Sequence, residues 1–255
     1  MARFFVTDKE FYSETEIIIV GDNVRHIKNV LRLKVGDSIT ICDGKENEYI
    51  VDIEKIEKES IKTSIKYRNS SITEKQPQIL LYQAVPKADK MDLIIQKSVE
   101  LGINKVIPVF TDRTIVNMRN DKDIQKKILR WQRISLEASK QSGRGIIPEI
   151  SKPVTFYKAL ELMNNNDRKF ILYEKESFIN LKKYIINENI IKLEKENTIS
   201  FIVGPEGGFT DNEVNDAKMK NIKSVSLGKR ILRTETVALV VLSIIIYEIG
   251  DVYNE

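Results

Sequence analysis

With 255 residues, 42% hydrophobic and 31% charged, the chain suffices for one large domain or two small ones, each with a real core. One cysteine (Cys42) and one histidine (His26) exclude a disulfide framework, a cysteine zinc site and a histidine-rich centre, so no metal is expected. The net charge is a mild +4, no apolar run reaches the ~20 residues that span a bilayer, and no signal pattern opens the chain, so a cytoplasmic protein without membrane contact is expected.

Residues 3–66 read as short strands, 17–20, 38–42, 48–54 and 61–66, separated by the turn signals Gly21-Asp22, Val35-Gly36-Asp37 and Asp43-Gly44. Residues 23–33 interrupt them with a short helix bearing Arg25, His26, Lys28 and Arg32. Many short strands around one helix predict a small β-barrel over 1–72. The polar stretch 69–78 reads as a linker. Beyond it the period changes: strand 79–85, helix 91–101 with Met91, Ile94, Ile95 and Leu101 on one side, strand 105–110. That alternation implies βαβ units and a parallel sheet, an α/β domain over 73–255. Lys97 and Glu100, three apart, form a surface pair.

Residues 121–142 form a long helix with Ile124, Ile128, Trp131, Ser135 and Ala138 on one face. Lys126, Arg130, Arg133 and Lys140 lie roughly opposite, and a glycine stop presents Gln141 and Arg144 at the tip. Over 113–144, basic residues Arg113, Arg119, Lys122, Lys126, Lys127, Arg130, Arg133, Lys140 and Arg144 face only Asp121, Asp123 and Glu137, an anion-attracting excess that points to nucleic acid. A strand over 169–174 ends in Leu172, Tyr173 and Glu174, and 182–197 reads as an exposed helix with its loop.

The most informative stretch follows. The buried strand 199–203 runs into Gly204-Pro205-Glu206-Gly207-Gly208-Phe209-Thr210, and Thr210 to Glu213 is a capping box for the next helix. A second strand, 224–227, runs into Leu227-Gly228-Lys229-Arg230-Ile231-Leu232-Arg233-Thr234-Glu235-Thr236 and an apolar helix over 236–246. Two glycine turns between strand and helix let bare backbone meet a ligand at the carboxyl ends of the strands. Neither is a phosphate loop or a dinucleotide fingerprint. The apolar helix must be buried, and its place near the C-terminal end suggests that part of it meets a second copy in a homodimer.

These two motifs together resemble those of the SPOUT class of knotted methyltransferases, most of all the ribosomal RNA small subunit methyltransferase E family, whose members methylate N3 of a uridine in 16S ribosomal RNA. Residues 92–102 and 137–144 are similar to further segments of that family, and Arg25 to Arg32 to its basic segment. The resemblance implies an N-terminal PUA-like RNA-binding barrel (1–72), a C-terminal SPOUT domain (73–255) with a C-terminal trefoil knot, S-adenosylmethionine as cofactor, and 16S ribosomal RNA or the small ribosomal subunit as partner. Cofactor contacts fall to Leu172, Tyr173 and Glu174; Gly204, Pro205, Glu206, Gly207 and Gly208; Ser226, Leu227, Gly228, Ile231 and Leu232; and Arg233, Thr234 and Thr236. RNA contacts fall to Arg25, His26, Arg32, Lys126, Arg130, Arg133, Gln141 and Arg144.

Methylation at uracil N3 requires loss of a weakly acidic ring proton, and a guanidinium near O2 or O4 stabilises the developing anion. Arg233 and Arg144 are the candidates. Glu206 either faces the sulfonium, accepts the proton, or holds its loop in shape. Two rival readings stay open: a methyltransferase of the same fold acting elsewhere on RNA, such as a ribose 2′-O position, and a non-enzymatic RNA-binding ribosome-assembly protein.

Overall fold

The computed structural model describes residues 1–70, 72–74, 76–115 and 121–249. The chain divides into two compact units, Met1–Glu74 with Ser139–Ile147, and Lys75–Ala138 with Pro148–Glu255.

The first unit holds β1 (Arg3–Phe5), β2 (Glu16–Val20), β3 (Ser38–Cys42), β4 (Asn47–Ile56) and β5 (Ser60–Ser70) in one sheet of order β1-β3-β4-β5-β2. Only β1 with β3 is parallel. Alternation does the folding: Ile17 and Ile19 of β2 point inward with Phe4, Ile39, Ile41, Val51, Ile53 and Ile61. The helix α1 (Asp22–Arg25) adds Val24 to that core and runs into a wide turn over His26–Val30, which adds Ile27 and where Leu31 N donates to His26 O at 3.0 Å. His26 packs edge-on against Phe4, while Arg25 and Arg32 stay exposed.

The second unit is built on β6 (Gln78–Ala84), β7 (Lys105–Phe110), β8 (Glu149–Ile150), β9 (Val154–Thr155), β10 (Arg168–Leu172), β11 (Thr198–Val203) and β12 (Lys223–Val225). All pair in parallel, in the order β12-β10-β11-β6-β7-β8, with β9 also on β7. Helices α2 (Lys90–Glu100), α3 (Asp121–Ser142), α4 (Phe156–Met163), α5 (Leu181–Asn187), α6 (Asp211–Met219) and α7 (Thr234–Glu248) cover it. The central strands are buried on both faces: Phe170 and Phe201 join one core with α2 and α7, and Ile171 and Ile202 join another with α4 and α6. Each such side chain contributes ~1.5–3 kcal/mol by leaving water.

The structure adds to and adjusts these expectations. Residues 152–166, to which no element is assigned above, hold β9 and α4, whose cap is Thr155 accepting from Lys158 N at 3.3 Å. The helix expected over 182–197 stops at Asn187 and Asn189 turns left-handed (φ 52°), while Leu181, Tyr184 and Ile185 are buried. In α7, Val241 and Ile245 belong to the core of the unit, and Thr236, Ser243 and Tyr247 are the exposed positions. Among the described residues no helix is long and apolar enough to cross a membrane.

Candidate active site

The carboxyl ends of β10, β11 and β12 open on a cleft of about 520 Å³, within the range that small-molecule sites occupy. Two loops and one strand end build it. The first loop leaves β11 at Gly204. Gly208 has φ +67°, which favours glycine, and a Cβ there would lie 3.1 Å from Glu174 Oε1, a tight contact from which that carboxylate would have to shift. The loop closes on itself through Gly208 N donating to Pro205 O at 2.9 Å. It then enters α6 through a complete capping box: Thr210 N donates to Glu213 Oε2 at 2.8 Å and Glu213 N to Thr210 Oγ1 at 3.2 Å.

Contacts from distant segments pin this loop. Glu206 Oε1 accepts from Lys90 Nζ at 2.9 Å and from Lys87 N at 3.2 Å. Arg113 Nη1 donates to Gly207 O at 2.6 Å. Burial works to raise the Glu206 pKa, but the hydrogen bonds from Lys90 and from backbone N–H groups outweigh it and hold the carboxyl below the usual range. The Glu206 hydrogen bond in turn raises Lys90, whose ammonium also lies 3.5 Å from Glu235.

The second loop leaves β12 beside residues 179–181, to which Ser226 is tied by backbone bonds: its N donates to Ile179 O at 2.9 Å and its O accepts from Leu181 N at 3.0 Å. Gly228 has φ +104° with nothing within 4 Å of an added Cβ, so only torsion demands glycine there. Lys229, Arg230, Ile231 and Arg233 are exposed. The loop ends where Thr234 Oγ1 donates to Gly204 O at 2.7 Å, joining the two loops.

The third element is the end of β10. Leu172 and Tyr173 line the cleft, and the Tyr173 hydroxyl donates to Asp211 in the first turn of α6, an acceptor shared with Lys175 Nζ at 2.9 Å. The cleft therefore gathers Leu172, Tyr173, Glu174, Gly204 through Gly208, Leu227, Gly228, Ile231, Leu232, Arg233 and Thr234 from the expected set. Ser226 and Thr236 are not among its lining residues. Lys90, Val203, Phe209, Val225, Arg230 and Val237 line it as well. Lys90 carries no local signal, because its partner Glu206 is 116 residues away.

The remaining candidates lie elsewhere. Arg144 belongs to the first unit, where its side chain is 3% exposed and ion-paired with Glu74, Nη2 to Oε2 at 2.7 Å and Nε to Oε1 at 3.1 Å. Its carbonyl accepts from Arg3 Nη1 at 3.2 Å. A guanidinium so enclosed is a structural brace, and it does not line the cleft. On α3, Arg130 pairs with Asp92 and, at 3.5 Å, with Asp89. Lys126, Arg133 and Gln141 are exposed. Lys97 and Glu100 pair at 2.8 Å, as their spacing suggests.

Residues 73–246 match the RNA methyltransferase domain family, and residues 19–66 the RNA methyltransferase PUA domain family. The chain is similar to ribosomal RNA small subunit methyltransferase E of Bacillus subtilis (strain 168), 32% identical over 253 residues covering 97% of each chain. It is similar to the protein of the same name from Mesomycoplasma hyopneumoniae (strain 232), 32% identical over 243 residues covering 95% of this chain and 98% of that one. Among solved structures, a ribosomal RNA small subunit methyltransferase E from Neisseria gonorrhoeae bound to S-adenosyl methionine matches with a TM-score of 0.83 at 32% identity, covering 97% of both chains.

Proposed function

Because the chain belongs to the RNA methyltransferase family that includes the ribosomal RNA small subunit methyltransferase E proteins, we propose that it methylates N3 of a uridine in 16S ribosomal RNA with S-adenosylmethionine. The observation that carries this reading is the cleft itself, in which two glycine turns at the ends of parallel strands converge on one apolar-walled space. The residues fit the cofactor: backbone at Gly204, Gly208 and Gly228 suits an adenine edge, Leu172, Val225 and Leu227 suit its faces, and Glu174 sets a carboxylate beside Gly208 for polar or cationic groups. Bound there, S-adenosylmethionine supplies an electrophilic methyl group on a sulfonium.

The chain's own residues supply alignment and charge. Arg233 is exposed at the cleft, and among the described residues no hydrogen bond or ion pair engages its guanidinium. Its donors are thus available to uracil O2 or O4, where they stabilise the anion left when N3 loses its proton. Glu206 is already engaged by Lys90 and its carboxyl is less basic than usual, which suits a loop brace and not a proton acceptor. The target base must be unstacked to reach such a site. Arg25, His26, Arg32, Lys126, Arg133 and Gln141 are proposed as RNA contacts, supported by their accessible positions.

The finer architecture belongs to the same proposal. Residues 1–72 act as a PUA-like barrel that binds RNA, and bulges in β4 against β5 support the curvature a barrel needs. Residues 73–255 form the SPOUT domain. A trefoil knot is supported by the path of the chain, which runs beside 179–181 at Ser226 and then returns to the end of β11 at Thr234. A two-fold homodimer would use the outer stripe of α7, Thr236, Ser243 and Tyr247, of which Tyr247 is 73% exposed. A Tyr247→Glu variant should then sediment as a monomer while the wild type sediments as a dimer.

The deciding experiment incubates small-subunit RNA with the protein and labelled S-adenosylmethionine and maps the modified nucleotide. Label at N3, which blocks the Watson–Crick edge and halts primer extension, is the expected result. Label on a ribose, or none with the cofactor bound, refutes the proposed chemistry.

A further inference from the structure

Behind the cleft wall runs a polar chain to which three distant segments contribute. Gln83, the second-last residue of β6, is fully buried, and its Nε2 lies 2.9 Å from Thr234 Oγ1 and 3.0 Å from Ala84 O. Thr234 Oγ1 lies 2.7 Å from Gly204 O. Chemistry fixes the direction of each bond. A backbone carbonyl only accepts, so the Gln83 atom facing Ala84 O must be the amide nitrogen; turning the amide over would set two carbonyl oxygens against each other. That nitrogen therefore also donates to Thr234, whose single proton then goes to Gly204 O. Gln83 Oε1 is buried with no hydrogen-bond partner among the described residues, so the side chain is held here as a donor alone.

We propose that Gln83 is a positioning residue for methyl transfer. Because its Nε2 donates to Thr234 Oγ1 and cannot accept, it leaves the threonine proton to Gly204 O, and so sets the glycine loop and the start of α7 at one relative position. Gly204 opens the loop that faces the cofactor, and Thr234 directly follows Arg233. One buried amide thereby governs both cofactor affinity and the aim of the guanidinium. The inference rests on the methyltransferase reading for its consequence in catalysis, but the relay itself can be observed without cofactor or RNA.

The test compares Thr234→Val, Thr234→Ser, Gln83→Met and the Gln83→Met/Thr234→Val pair in the full chain. Amide hydrogen exchange over residues 204–209 and 234–237 is measured without cofactor, and S-adenosylmethionine affinity by calorimetry. The valine variant, equal in shape but without the hydroxyl, should exchange about tenfold faster in both segments and lose affinity about tenfold, a difference of ~1.4 kcal/mol. Serine should restore most of the protection. Gln83→Met should resemble Thr234→Val, and the pair should add little to either, because both break one chain. Unchanged exchange in Thr234→Val, a serine variant as loose as valine, or full additivity would each overturn the relay. If Gln83→Met does not fold, Gln83→Leu takes its place, while the valine and serine variants decide the Thr234–Gly204 bond by themselves. Wild-type protein with the expected exchange pattern but no cofactor binding would defeat the functional reading while leaving the relay intact.

Discussion

The loop over 204–208 is held by Thr234 at the Gly204 carbonyl, by Lys90 and the Lys87 amide at Glu206, and by Arg113 at the Gly207 carbonyl. The loop over 227–233 instead exposes Lys229, Arg230, Ile231 and Arg233, and among the described residues no side-chain hydrogen bond or ion pair holds any of the four; Ile231 is 86% exposed. Both face the same cleft. A ligand of constant shape rewards donors fixed in advance, since no ordering entropy is lost on binding. A polyanion brings its own charges and its own conformational choices, and unpaired cations on an unbraced loop can follow it. Under the proposed function the difference suits the braced loop to the cofactor and the exposed cations of the second loop, Arg230 and Arg233, to the RNA, with Leu227 and Gly228 at its root left to the cofactor.

The largest expected effect tests the open loop. Arg233→Ala should slow methyl transfer by roughly 10²–10³, the loss typical of removing an oxyanion donor. Affinity for S-adenosylmethionine should stay within about threefold, by calorimetry. A variant that instead loses cofactor binding would place Arg233 with the braced loop.

Next come the two glycine turns, one in each loop. Gly208→Val meets both the left-handed torsion and Glu174, and should weaken the cofactor by on the order of a hundredfold. Gly228→Val meets torsion alone and should lose roughly tenfold. Equal losses would mean that space around Gly208 plays no part.

A smaller effect should follow removal of the Lys90 brace. Lys90→Met should weaken cofactor binding by a few-fold, since the pair is partly exposed and solvent-screened. The pH dependence has two signs. Glu206 titrates below its usual range, so the brace is intact above its unfolded value and fails as pH falls through the lowered one. Lys90 titrates above its usual range, so the brace is present below its unfolded value and fails as pH rises through the raised one. Glu206→Gln should remove the acid limb from a plot of cofactor affinity against pH; persistence of that limb would assign it to another carboxylate.

The smallest effect concerns α3. Replacing Lys126 and Arg133 by alanine should lower the salt slope of RNA binding by about 0.7–0.9 for each phosphate that is no longer neutralised. Arg130→Ala should change the slope less, because Asp92 and Asp89 already neutralise that guanidinium. A larger change from Arg130 would show that RNA displaces those carboxylates.

Much of the site was legible because it is local. The strand before Gly204, the capping box from Thr210 to Glu213 and the strand before Gly228 each lie within one short run, and each formed as its residues dictate. The buried face of α3 was legible for the same reason, through Trp131, Ser135 and Ala138. Arg144 shows the limit. Its place after a glycine stop suggests an exposed cation, but Glu74, 70 residues earlier in the chain, encloses it.

What the sequence determined by itself was the kind of elements and the two places where backbone is bare, since torsion, capping and hydrophobic period act over a few residues. What only the tertiary structure decided was which side chains brace those places. Gln83 reaches Thr234 across 151 residues, Arg113 reaches Gly207 across 94, and Lys90 reaches Glu206 across 116. It also decided that Val241 and Ile245 face the core of their own unit while Tyr247 faces out. A helix that is apolar nearly all round has no hydrophobic period to tell its inner from its outer side. Only packing against the sheet can choose.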